Sequence, residues 1–361
     1  MINYLKHLRL GKNSTCVNPM MLTAIITFRC NARCVMCDSW KKTSHKEISV
    51  KDFEQIFQSL GKMHLVRLSG GEPFVRDDFT VIADSAVRIL RPRLLHVTSN
   101  GFLTQRIVNF VINRDRSVPL FLLFSIDGMH ELHDEIRGIK GAWNMVNRTI
   151  EELSSLRKKY NFGIAINQTI VNENSVSEYS RLRKHFEKHR VSVNVVFAYD
   201  ESSTYTLDAK GITNSAEQFK TVAKIGSDKL INLFNEVQDG LKGASLGHRI
   251  LKKYYYNGMY NRLIKDFDSP NPKCAALGAH MRIFPDGSVP VCQFNSTIIG
   301  NLAKDGFDKV WNSEKVYASR NWVKNCKGCW AECEVLPSAF YSGDILKSIC
   351  MYKKFLNINH D

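Results

Sequence analysis

The stretch from Ile26 to Trp40, ITFRCNARCVMCDSW, sets Cys30, Cys34 and Cys37 apart by three and two residues, directly behind the apolar run MLTAIITF that begins at Met21. A structural zinc site is tetrahedral and normally closes with four protein ligands. A [4Fe–4S] cube carries four irons and is usually held by four cysteines. Three thiols therefore need either a fourth ligand from elsewhere or a purpose for the gap. His96, His130 and a C-terminal cysteine are candidates for the fourth place. An iron left without a protein ligand is the other solution, since an open coordination position is where substrate chemistry happens.

Outward from this loop, short apolar runs alternate with amphipathic ones to about residue 200. MLTAIITF, HLVRLSG (from His64), LLHVTSN (from Leu94), LFLLFSID (from Leu120), GIAINQTIV (from Gly163) and VSVNVVFAY (from Val191) read as strands. Most are nearly continuous in apolar and β-branched residues, as expected of parallel strands buried on both faces. Between them lie helical patterns; in SVKDFEQIFQSLGKM, Phe53, Ile56, Phe57 and Leu60 share a face and Ser49 can cap the start. Six such units predict an α/β fold with a parallel sheet, either an open TIM-like (β/α)6 barrel or a doubly wound sheet. In both, active residues gather at the C-terminal ends of the strands. Residues 203–268 lack strand runs and read as a lysine-rich helical connector. From residue 269 the chain is short-stranded and rich in cysteine: MRIFPDGSVPVC reads as a hairpin around Pro-Asp-Gly, and GFDKVWNSEKVYASR as one helix. The first ten residues form an amphipathic pattern suited to closing the barrel end. The expected division is 1–20, 21–202, 203–268 and 269–361.

The chain has 361 residues, 44% of them hydrophobic, and a formal charge of +15. No apolar run approaches the ~20 residues of a membrane span, and no signal peptide is evident, so a cytoplasmic protein is expected. The ten cysteines cluster near the N-terminus and in the last ninety residues, a distribution that points to metal binding rather than disulfides. Cluster thiolates would offset part of the positive charge, and the remainder favours an anionic partner.

At this point the motifs carry a resemblance. Cys30, Cys34 and Cys37 match the C-x3-C-x2-C signature of the radical S-adenosylmethionine (SAM) enzymes. SGGEP (Ser69–Pro73), TSNG (Thr98–Gly101), SIDGMHELHDEIRG (Ser125–Gly138) and NQTIVNEN (from Asn167) follow in the order that family shows. The resemblance implies that SAM chelates the open iron of a [4Fe–4S] cluster and that reduction yields a 5′-deoxyadenosyl radical, which abstracts a hydrogen atom. It implies an electron donor such as flavodoxin or ferredoxin. It also implies cofactor contacts: backbone at Gly70, Gly71, Glu72 and Pro73, where missing Cβ atoms permit close approach; Glu72 toward the amino group; Arg137 toward the carboxylate; Ser99, Asn100 and Ser125 toward the ribose; and Asp127 nearby. Met36 stands where the family often has an aromatic residue.

The tail holds Cys274, Cys292, Cys326, Cys329, Cys333 and Cys350. Cys274, Gly287-x4-Cys292 and CKGCWAEC resemble the auxiliary-cluster modules called SPASM or twitch domains. Six cysteines cannot fully ligate two cubes. One auxiliary [4Fe–4S] cluster on Cys274, Cys292, Cys326 and Cys329 is expected, with Cys333 able to replace one of them; a second, incomplete cluster and a structural zinc are the alternatives. Cys16 and Cys350 read as structural thiols or, for one of them, a hydrogen donor.

For the substrate, Gln293 occupies the place where sulfatase-maturing relatives tend to have an aspartate base, and few residues precede Cys30 where peptide-modifying relatives often have a leader-binding domain. Both features favour a small, anionic metabolite of the sugar or nucleotide-sugar type, undergoing dehydrogenation or epimerisation. A radical SAM peptide or protein maturase is the alternative, and a non-catalytic iron–sulfur or SAM-binding protein the remote one. No compact basic–aromatic patch points to nucleic acid.

Overall fold

The computed structural model describes residues 18–42, 46–199 and 225–346. The helix expected over the first ten residues, connector residues 203–224, Cys16 and Cys350 fall outside them. Strands β1 (Met21–Ile25), β2 (Leu65–Ser69), β3 (Leu94–Ser99), β4 (Leu120–Ser125), β5 (Phe162–Ile170) and β6 (Ser192–Phe197) form where the apolar runs lie. They pair in parallel in the order β6-β5-β4-β3-β2-β1, and β7 (His280–Ile283) adds a seventh strand beside β1. Helices α1 (Val50–Leu60), α2 (Phe79–Leu90), α3 (Thr104–Asn113), α4 (His130–Arg137), α5 (Ala142–Tyr160) and α6 (Glu173–Glu187) connect the first six. This is the incomplete (β/α) barrel expected of the family.

Local chemistry explains these elements. At the start of α1 the Ser49 side chain accepts from Asp52 N at 3.2 Å and Asp52 accepts from Ser49 N at 2.9 Å, a capping box that satisfies two end donors. Phe53, Ile56, Phe57 and Leu60 then bury the face that the spacing defines. No helix among the described residues is long and apolar enough to cross a membrane.

β1 is buried at every position as expected, but β2 to β5 are not buried on both faces. Val66, Leu68, Leu95, Val97, Leu122 and Phe124 are fully buried toward the helices. The alternate positions, among them Arg67, His96, Phe121, Ser125, Asn167 and Thr169, are half-exposed. The period-2 pattern therefore separates a packed outer layer from an open, partly polar interior.

The cysteine-rich region also departs from the local reading. Gly287 turns the chain at φ +81°, and Phe284 N donates to Ser288 O at 2.8 Å, so the Pro-Asp-Gly turn exists. Yet β7 pairs with β1, while β8 (Ser288–Pro290) pairs antiparallel with β9 (Ile298–Asn301). Joining the barrel sheet lets β7 bury Met281 and Ile283 completely. GFDKVWNSEKVYASR gives two helices rather than one, after the short α9 (Leu302–Asp305): α10 (Phe307–Trp311) and α11 (Glu314–Asn325). Ser313 accepts from Val316 N and caps the second.

Within the connector, α7 (Ser227–Gly240) and α8 (Leu246–Ile264) are helical as expected. Trp330 clamps α8 to the cysteine-rich region: its indole N–H donates to Tyr255 O at 2.8 Å, and the Arg262 guanidinium lies 3.9 Å from its ring. Only glycine fits at residue 258, since a Cβ there would meet Trp330 at 1.9 Å. The last described helix, α12 (Glu332–Ser342), begins beside Cys333.

Candidate active site

The loop bearing Cys30, Cys34 and Cys37 leaves the end of β1 and is suspended from the end of β2 on one side and from the C-terminus of α4 on the other. On one side Gly71 N donates to Thr27 O at 2.8 Å and Glu72 N to Arg29 O at 2.9 Å. A Cβ at Gly70 would lie 2.2 Å from Thr27 O, and one at Gly71 2.3 Å from Arg29 O. The glycines are thus required by the backbone of the cysteine loop, a cause separate from the close cofactor approach that the resemblance implies. On the other side Arg33 N donates to Arg137 O at 2.8 Å and Val35 N to Ile136 O at 3.0 Å. Here Gly138, at φ +63°, would place a Cβ 2.5 Å from Arg33 O.

The thiols are half-buried. Ala32 N donates to Cys30 Sγ and Ser39 N to Cys37 Sγ, both at 3.4 Å. Burial pushes the Cys30 thiol up to about 12 and the Cys37 thiol up to about 11. Metal binding to such thiols releases protons, and the backbone donors are placed to support the resulting charge.

Side chains from three strand ends and from α4 close around this loop. Glu72 is fully buried and accepts from Phe74 N (3.1 Å), Ser99 Oγ (2.9 Å) and Asn100 N (2.6 Å). Burial raises its carboxyl to about 7 against the pull of those donors. Asn100 Nδ2 donates to Asn31 Oδ1 at 2.7 Å and lies 3.9 Å from Cys30 Sγ. Ser125 is half-buried at the end of β4. Asp127 is buried, and Thr169 N donates to its Oδ1 at 2.9 Å. Burial raises its carboxyl, while Arg137 opposes that rise. Arg137 Nη2 sits 2.6 Å from Asp127 Oδ2, and its Nη1 reaches Cys34 Sγ at 3.5 Å. Burial works against the guanidinium charge, but Asp127 and Cys34 outweigh it and raise the Arg137 pKa. Asp134, in the same motif, accepts from Gly141 N and Trp143 N at the start of α5.

The site fits a three-thiol cluster ligated on one side. Arg137 Nε is buried without a hydrogen-bond partner, and Ser125 and the loop thiols remain accessible at the strand ends. His130, weighed as a fourth ligand, rests on the Trp143 ring at 5.0 Å, and His96 lies mid-strand on β3.

A second set of thiols gathers at the cysteine-rich end. Cys274, Cys292, Cys326 and Cys329 line one cavity, together with Phe294, Trp322 and Glu334. Asn295 N donates to Cys292 Sγ at 3.3 Å and Gly328 N to Cys326 Sγ at 3.4 Å. Burial pushes Cys292 up to about 12 and raises Cys274 and Cys329 as well. Four thiols around one cavity match the shell of a cube; among the described residues, no group of three or more His, Cys, Asp or Glu is placed to hold a single metal ion.

Cys333 does not line that cavity. It faces the barrel, where Arg67 Nη1 donates to its carbonyl at 3.1 Å and Arg282 Nη2 lies 3.9 Å from its Sγ. Glu334 next to it pairs with Arg282 at 3.0 Å and with His280 at 3.1 Å. Burial opposes its charge, but His280 and Arg282 hold the carboxyl at about 2. Gln293 is buried, and its N–H donates to Glu334 at 3.3 Å. Sequence reasoning misses Arg67 and Glu334; a charged residue interrupting the apolar run HLVRLSG is the available signal for the first.

Comparison with known proteins gives a match to each of the two parts of the chain. Residues 24–182 match the family model of the radical SAM superfamily, and residues 274–330 that of the SPASM iron–sulfur cluster-binding domain. An AdoMet-dependent heme synthase from Methanosarcina barkeri is 26% identical over 88% of both chains. A GTP 3′,8-cyclase from Haemophilus influenzae is 30% identical over 38% of this chain and 44% of its own. The mycofactocin maturase MftC of Mycolicibacterium smegmatis is 32% identical over 38% of this chain and 35% of its own. Among solved structures, Streptococcus suis SuiB bound to S-adenosylmethionine superposes with a TM-score of 0.60 at 18% identity, covering 88% of this chain and 72% of that one. anSMEcpe with bound AdoMet and a peptide gives 0.55 at 16%, covering 83% and 82%.

Proposed function

The chain joins a radical SAM domain to a SPASM domain and so belongs to the radical S-adenosylmethionine superfamily, in its SPASM-bearing branch; from that premise we propose that it takes a hydrogen atom from a small anionic substrate held inside the barrel. Its cofactors are a [4Fe–4S] cluster, S-adenosylmethionine and auxiliary iron–sulfur. Bound at Cys30, Cys34 and Cys37 and reduced by an external donor, the first two supply a 5′-deoxyadenosyl radical.

The protein's own residues prepare the place. The strand-end backbone from Gly70 to Pro73, together with Asn100 and Ser125, faces the cofactor. Glu72, Ser99, Asp127 and Arg137 hold that set in position, because each commits hydrogen bonds to another strand end or to the loop. Cys274, Cys292, Cys326 and Cys329 hold the auxiliary cluster on the other side. A preorganised frame of this kind lets the cofactor do the chemistry while the protein orients and shields it.

The observation that supports the reading is the partly exposed, partly polar inner face of β2 to β5 on the side of the cysteine loop. An AdoMet-dependent heme synthase aligns over most of both chains, which supports a small-molecule substrate over a peptide. The test is anaerobic reconstitution followed by measurement of 5′-deoxyadenosine. Reductant-dependent formation, abolished in Cys34→Ala, is expected; no product under any reducing condition would sink the enzyme reading.

A further inference from the structure

Arg67 on β2 and His96 on β3 are register partners and face the barrel interior. Two residues further along, Ser69 and Thr98 face the same way, so this layer lies ~7 Å below the strand ends that frame the cysteine loop.

Among the described residues, two other cations near this layer each have a counter-charge. Lys252 pairs with Glu332 at 2.7 Å and Arg282 with Glu334 at 3.0 Å. Arg67 makes no ion pair among the described residues; its single hydrogen bond runs from Nη1 to Cys333 O. Its Nε is buried without a partner. Nε and Nη2 share one edge of the guanidinium, the edge that binds a carboxylate or phosphate with two parallel hydrogen bonds. The bond to Cys333 fixes the plane of the group and leaves that edge unused.

His96 completes the arrangement. Its ring stacks on Phe121 at 5.6 Å, and Nδ1 is buried without a partner. Burial, with Arg67 and Lys252 adding to it, lowers its pKa to about 3. A neutral imidazole beside a cation can donate one N–H without adding charge. Partly desolvated and without a carboxylate, the guanidinium has a cost that an arriving anion would relieve.

We propose that Arg67 and His96 form an oxyanion subsite inside the barrel that anchors a carboxylate or phosphate of the substrate. This rests on the reading that the interior receives the substrate, and it names the group by which the substrate is held. Both residues position the substrate; neither takes part in bond breaking.

The test is isothermal titration of the reconstituted, SAM-loaded protein with tricarballylate and, separately, with pyrophosphate, two probes that distinguish a carboxylate from a phosphate site. Saturable binding of at least one is expected, weakened about tenfold or more in Arg67→Gln, as loss of a charged hydrogen-bonding partner predicts, and unchanged in the exposed Arg88→Gln. His96→Phe keeps the stack on Phe121 and removes only the donor; it is expected to weaken the same probe several-fold, and it carries the test if Arg67→Gln does not fold. No binding of either probe by the unmutated protein, or equal binding by the variants, overturns the proposal. Substrate-free 5′-deoxyadenosine formation is expected from the unmutated protein and from Arg88→Gln alike, and its absence from both would count against the proposed function instead.

Discussion

Arg137 Nη2 lies 2.6 Å from the Asp127 carboxylate, and the same guanidinium reaches Cys34 Sγ at 3.5 Å. One buried ion pair thus links the end of β4 to the cysteine loop. The geometry gives the arginine a task beside any contact with the cofactor: it fixes where the Cys34 thiol stands. Breaking a buried pair by removing one partner costs ~3–5 kcal/mol, because the other charge stays behind. Arg137→Gln is therefore expected to destabilise the cluster-free chain by about that amount, read from denaturant unfolding, and to lower iron uptake. Arg137→Lys keeps a charge but not the planar fork and should recover stability more than iron content. Equal stability of Arg137→Gln and the unmutated chain would mean that the pair does not hold the loop.

Gly71 offers a contrast between two kinds of glycine. A Cβ at residue 71 would sit 2.3 Å from Arg29 O and 2.5 Å from Phe28 O, both rigid backbone. Gly71→Ala should therefore push the loop out and reduce iron bound at Cys30, Cys34 and Cys37. Gly247, in α8, has nothing within 4 Å of the point where a Cβ would stand, and Gly247→Ala should leave iron content unchanged and stabilise by up to ~1 kcal/mol. Iron assay and thermal unfolding of the two variants separate the cases.

The strand positions were legible because apolar, β-branched runs end in Gly, Ser or Asn where the chain must turn. The openness of the barrel was less so, although Arg67, His96 and Asn167 stood at alternate positions inside those runs. A fully buried strand has no use for such side chains, and their spacing already marked an inner face. The partner of β7 was not legible: MRIFPDGSVPVC satisfies every local requirement of a hairpin, and nothing near it reports that Met281 lies opposite Leu22. At the site, the three cysteines and the strand-end motifs were readable as chemistry, but what each motif touches was not. A glycine demanded by close approach looks the same whether a cofactor or the Thr27 carbonyl makes the approach.

Ser99 tests the buried carboxyl. Glu72 has its pKa raised by burial to about 7 in the folded chain. A carboxyl raised in this way favours the folded state at low pH, and its contribution is lost as pH rises from its unfolded value toward 7. Ser99→Ala removes a donor to the ionised form and should raise the Glu72 pKa further. The variant should then be nearly as stable as the unmutated chain below pH ~5, where Glu72 is protonated in both, and less stable by ~1–2 kcal/mol above its folded pKa. A stability difference independent of pH would mean that Glu72 does not titrate with folding.

The two groups of C-terminal thiols make the last prediction. Cys326 lines the cavity shared with Cys274, Cys292 and Cys329, whereas Cys333 faces Arg67 and Arg282 across the seam with the barrel. Two four-iron clusters would give about eight irons per chain. Cys326→Ala should lower that count by about four and leave the signal of the SAM-binding cluster in place, while Cys333→Ala should keep about eight. Iron and acid-labile sulfide assays on anaerobically reconstituted protein read this directly, with electron paramagnetic resonance of the reduced state to assign the cluster lost. If Cys333→Ala loses four irons instead, the thiol swings into the cavity when metal binds, and the ligand set drawn from the cavity lining is wrong at that residue.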